Sequence, residues 1–148
     1  ELRPLIWKHP GGVLGLARVG ADRAATTCDD GRVRLWKLTS AESPLVLPLP
    51  AAEYGPPAAS SDGRYVVFPQ QQTGALRLFD VAEQREIGPR TKADDAAPAP
   101  WLDTAKFDAL LWRAAFAPDG KSLVTVGGDE ALQWNFDDAA SPKRPAQM

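Results

Sequence analysis

The strongest constraint on this chain is a phrase it repeats three times. The clearest copy opens on His9-Pro10-Gly11-Gly12, passes through an apolar stretch and closes on the run ATTCDDGRVRLW, Ala25 to Trp36. Two worn copies follow, SSDGRYVVFPQQQTGALRLFD from Ser60 to Asp80 and APDGKSLVTVGGDEALQWN from Ala117 to Asn135. Each copy reads as a turn with Asp-Gly or a near equivalent, a short apolar strand, a polar Gly/Asp/Gln turn, and a strand ending in an aromatic residue. The closing aromatics are Trp36, Phe79 and Trp134. A supersecondary unit of this kind cannot bury its faces alone, so the copies must stack on one another.

Period-2 alternation places the strands. In the first copy they fall near Val13–Arg18, Ala24–Cys28, Arg32–Leu38 and Pro44–Leu49. In the second they fall near Tyr54–Ala59, Tyr65–Pro69, Ala75–Asp80 and Arg85–Gly88. The third has Leu110–Ala117, Ser122–Val126 and Ala131–Phe136, after which the apolar pattern stops. Self-similarity at a period of roughly 40–45 residues is the mark of a four-stranded propeller blade, and the chain resembles the WD-repeat β-propeller family over nearly its whole length, in a degenerate, bacterial-type form. The expected fold is all-β: three four-stranded antiparallel blades forming an arc or part of a ring, at about 10–50, 51–88 and 108–148. Pro56-Pro57 sit inside the second copy's inner strand and remove ladder donors, so that strand is expected to be short or irregular.

The third copy lacks a fourth strand, and the other end of the chain offers one. Arg3-Pro4-Leu5-Ile6-Trp7 is similar to Ser43-Pro44-Leu45-Val46-Leu47, the outer strand of the first blade, whereas Ser141-Pro142-Lys143-Arg144-Pro145 puts charge and proline in that place after the third. The resemblance implies that strand 3–7 completes a last blade and zips a ring shut. Rings use roughly 4–8 blades, so three require either further copies of this chain, a dimer preferred, or neighbouring blades of a longer one.

His9, Thr26, Asp30 and Trp36 invite a catalytic reading, because a His, a hydroxyl and an Asp make a triad. Their spacing matches instead what the WD-repeat resemblance implies, a buried structural hydrogen-bond tetrad tying a blade's turns to its aromatic strand. The second copy lacks the His and has Phe79 for Trp; the third keeps Thr125, Asp129 and Trp134 without a His. Those blades are expected to be held mainly by packing.

Other chemistry is thin. One His and one Cys cannot build a His/Cys zinc site, no phosphate-cradling loop follows Gly127-Gly128, and Cys28 beside Asp29 reads as a packed side chain. No cofactor or metal is expected. Net charge is −2 with Lys and Arg scattered, which lacks the footprint of a nucleic-acid binder. No apolar run has the length of a membrane span, no signal-peptide layout opens the chain, and a single cysteine fits a cytoplasmic setting. The link 89–109 is roughly twenty residues, beyond the usual loop length. Its Trp101 and Phe107 either cap the edge of the third blade or form a partner-binding arm, and Trp112 is either core or rim. The expected function is a non-catalytic scaffold binding a protein or peptide partner; the alternative is a small-ligand-binding or enzymatic propeller using the channel mouth.

Overall fold

The computed structural model describes residues 4–88, 113–120, 122–127 and 130–135. The loop bearing Trp101 and Phe107, Trp112, Asp129 and the tail around Ser141 lie outside them. The described residues form three antiparallel meanders and no helix. The first sheet runs β1 (Val13–Val19), β2 (Arg23–Cys28), β3 (Val33–Lys37) and β4 (Leu45–Val46). The second runs β5 (Ala58–Ala59), β6 (Tyr65–Pro69), β7 (Leu76–Asp80) and β8 (Arg85–Ile87). The third holds β9 (Arg113–Phe116), β10 (Ser122–Gly127) and β11 (Glu130–Asn135).

Register makes the sheets equivalent. Ala24 pairs with Trp36, Val66 with Phe79 and Leu123 with Trp134, so the closing aromatic occupies the same position in each. Alternation then sends successive residues to opposite faces. On β6 and β7, Val66, Phe68 and Phe79 enter one core with Ala25, Val33 and Leu35 of the first sheet. Val67, Leu76 and Leu78 enter a second core with Leu123 and Trp134 of the third. The middle sheet is therefore a wall between two cores. Parallel stacking of this kind brings the turns of neighbouring sheets together. Gly20 and Gly63, both at positive φ in the turns that open β2 and β6, approach so closely that a Cβ on Gly63 would lie 2.5 Å from the Gly20 Cα.

The weak points follow from local chemistry. β5 is cut to two residues beside Pro56-Pro57, with a single isolated bridge from Tyr54 to Gln70 upstream of the prolines. β1 is bulged between Val13 and Gly15, and a Cβ on Gly15 would meet the Pro56 Cα at 2.5 Å, so only glycine admits the proline pair there. The third sheet has three strands among the described residues, with β11 at its edge. Residues 4–12 form no strand. Within one chain they lie against the first sheet rather than on β11: the Trp7 ring stacks on Trp36, centroids 5.5 Å apart. Trp36 faces away from the second sheet, no other sheet among the described residues lies against it, and Trp7 is a nearby apolar cover for it.

Candidate interaction faces

Each sheet has a leading face, which carries the closing aromatic, and a trailing face. Phe79 packs on the first sheet and Trp134 on the second, so leading faces point to the preceding blade in the chain. Among the described residues, two faces have no blade against them: the leading face of the first sheet and the trailing face of the third.

On the leading face of the first sheet the Trp36 indole donates to the Thr26 hydroxyl at 2.8 Å. The third sheet repeats the bond, Trp134 to Thr125, at 2.8 Å. In the second sheet Phe68 occupies the position of Thr26, paired with Arg77 as Thr26 is with Arg34, and the polar link gives way to an apolar pair with Phe79. Asp30 turns to Arg34: both guanidinium Nη groups donate to its carboxylate, and the Arg32 amide donates at 3.1 Å. That guanidinium holds the Asp30 carboxyl well below the usual carboxylate range, and the carboxylate raises Arg34 in return. His9 tilts against Trp36 with centroids 5.0 Å apart, and its Nδ1 is buried without a partner. Burial first, and Arg34 second, lower its pKa against the pull of Asp30.

The four residues singled out in the sequence thus share one face. The geometry brings Thr26 and His9 to Trp36 and gives Asp30 to Arg34. The Thr26 hydroxyl is engaged by the indole, an arrangement suited to holding β2 to β3. Sequence reasoning passed over Arg34 and the stacking role of Trp7. The signal for Arg34 was present: two residues before Trp36 on a strand, it must share the face of Trp36. Cys28 is buried, its Sγ 3.7 Å from the Asp29 carboxylate.

Exposed large apolar side chains gather on the first and third sheets. Among the described residues they are Leu5, Ile6, Val13, Leu14, Leu16, Leu45 and Val46 on the first sheet and its approach, and Val124 and Val126 on the third; none belongs to the second. Leu16 pairs with Thr26, so it lies on the leading face, where it is 64% exposed. Val124 and Val126 lie on the trailing face of the third sheet, 37% and 41% exposed, with Arg113 opposite Val126. The counterparts of Val124 by register, Ala25 in the first sheet and Val67 in the second, are buried against the next blade. No group of three or more His, Cys, Asp or Glu among the described residues is placed to hold a metal ion. Among the described residues no helix is long and apolar enough to cross a membrane.

Propellers of known structure share this architecture. The β-propeller domain of Cps50 (Swd1) from Myceliophteria thermophila is similar over 93% of this chain at a TM-score of 0.67 and 16% identity. The chain spans 39% of the length of that structure. Neither a scan against protein-family models nor a comparison with curated sequences gives a match. The likeness and the three stacked meanders agree on the fold, an all-β array of propeller blades.

Proposed function

We propose that the chain is a non-catalytic WD-repeat scaffold whose work is protein–protein interaction. It supplies three blades of a larger ring, from further copies or neighbouring blades of a longer chain. One observation carries this reading: the exposed large apolar side chains lie on the first and third sheets and are absent from the sheet between them. Exposed apolar side chains gathered on the outer sheets fit an interface there. The leading face of one copy and the trailing face of another are related as the internal pairs are, so the contact is heterologous and closes when the rotation permits. Two copies give six blades, inside the usual range. In such a ring the Leu5–Trp7 strand of one copy would pair with β11 of the other and complete the third blade. His9, Thr26, Asp30 and Trp36 serve the blade's structure in this reading, and Trp101, Phe107 and Trp112 are proposed as contact residues for a partner protein or peptide. Sedimentation equilibrium tests it: a discrete species of twice 15.9 kDa is expected, whereas a compact, cooperatively folding monomer at all concentrations defeats it.

A further inference from the structure

We propose that residues 4–9 are a removable cover over the docking face of the first blade, seated on Trp36 in the lone chain and displaced when the third sheet of a second copy docks there. The inference rests on the assembly reading above and adds a built-in competitor to it.

The other two leading faces are fully covered. Phe79 and Trp134 are both 0% exposed, each buried by a whole preceding sheet. Trp36 is buried to a similar degree, but its cover is the rings of Trp7 and His9 on a segment with no strand pairing. The fit of that cover is poor. It leaves Trp7 Nε1 and His9 Nδ1 buried with no hydrogen-bond partner, and it leaves Val13, Leu16 and Val46 of the same face exposed. Buried polar atoms without partners cost free energy that native interiors normally avoid. A cover with these features is held by stacking alone, and a face that offers a full apolar sheet outcompetes it.

The occupant is a second copy because the required surface is already in this chain. The leading–trailing contact is made twice internally, and the third sheet presents the same trailing positions, Val124 and Val126, uncovered. Charge agrees with that pairing. Arg113 pairs with Val126, at the end of the third sheet beside the β10–β11 turn. The corresponding turn of the first sheet, between β2 and β3, carries Asp29 and Asp30. Docking in the internal manner places Arg113 at the level of those carboxylates.

The test uses the full chain and two readouts. Stacked indoles give an exciton couplet in far-ultraviolet circular dichroism, where the strong indole transitions couple; it is expected in the dilute wild-type chain, absent in Trp7→Ser, and lost from wild type as the sedimenting mass rises. Trp7→Ser keeps the backbone of the segment for pairing with β11, so it should associate at least threefold more tightly than wild type, with a slightly lower thermal midpoint in the dilute state, where the lost stacking no longer supports the folded chain. Arg113→Glu should weaken association of both proteins, and Asp29→Arg in the same chain should restore it. Weaker or unchanged association of Trp7→Ser overturns the cover while leaving the assembly standing. A couplet that persists in the assembled species also overturns it. If neither protein associates at any concentration, the assembly falls and takes the cover's occupant with it.

Discussion

The first and second sheets are built from one repeat and solve its central problem differently. In the first, the closing aromatic is Trp36, bonded to Thr26 and covered by Trp7 and His9. In the second, Phe68 and Phe79 replace that polar pair, both 0% exposed in the core shared with the first sheet. The comparison teaches that a hydrogen bond and a packed aromatic are exchangeable at this position, provided the neighbours on both sides are in place. A sheet with a core on each face needs no polar link. The two flank sheets, each with one core, keep the link, and the first borrows its own upstream segment as a cover.

The comparison breaks first if the second sheet is not the keystone. Phe79→Ala removes a fully buried ring from the core that joins it to the first sheet. Truncations of this kind cost about 3–5 kcal/mol, which for a chain of this size threatens folding outright. Urea denaturation should show the midpoint collapsing. A loss no greater than that of a surface substitution would mean that the two cores do not share the middle sheet cooperatively.

The polar link is the next point of attack. Thr125→Val preserves shape but strips the acceptor from the buried Trp134 indole, 0% exposed. An orphaned buried donor costs about 1–3 kcal/mol. Thr26→Val should cost less, because the Trp36 site borders a cover segment rather than a sheet and water reaches it more easily. Thermal midpoints of the two variants measured together check the ranking.

Much of this was legible in the sequence because the repeat reports on itself. Strand positions followed from alternation: β6 at Tyr65–Pro69 falls where the pattern places it, and β5 is short where Pro56-Pro57 forbid a ladder. The faces were legible too, since Thr26 and Trp36 share one by parity. What escaped was partner choice. Asp30 can reach several donors from its turn, and Arg34 prevails because a guanidinium gives the carboxylate two bonds from a cationic donor where a hydroxyl gives one from a neutral donor. The seat of Trp7 escaped for a different reason. Its likeness to the Leu45–Leu47 region pointed to strand pairing, while the uncovered indole of Trp36 is a feature of the stacked sheets and has no signature in any single segment.

The Asp30–Arg34 pair gives a smaller and pH-dependent effect. The Asp30 carboxyl is held low by Arg34, so its stabilising contribution is full above the ordinary carboxylate pKa, about 4, and is lost as pH falls toward the folded-state value. The Asp30 side chain is 24% exposed, and solvent screening keeps the pair weaker than the buried indole bond. Asp30→Asn should lower the thermal midpoint modestly at neutral pH and flatten its decline on acidification below about pH 4. An unchanged acid slope would assign that decline to other carboxylates, such as Asp62, which Ser60 and the Arg64 amide also hold low.

The least effect is expected where the first sheet faces outward, and that is what separates a flank from a core. Leu16→Ser changes a leading-face residue that is 64% exposed in the lone chain and belongs to neither apolar core. Surface substitutions of this kind stay within about 0.5 kcal/mol, so the dilute protein should melt as wild type does. Leu78→Ser is the matched control, a leucine on a strand of the second sheet that is 0% exposed and packed on the third. It places an unpartnered hydroxyl in a cavity, which adds a polar penalty to the lost packing. If the two substitutions destabilise the dilute chain equally, Leu16 is covered in solution, and the contrast between an open first sheet and an enclosed second one is lost.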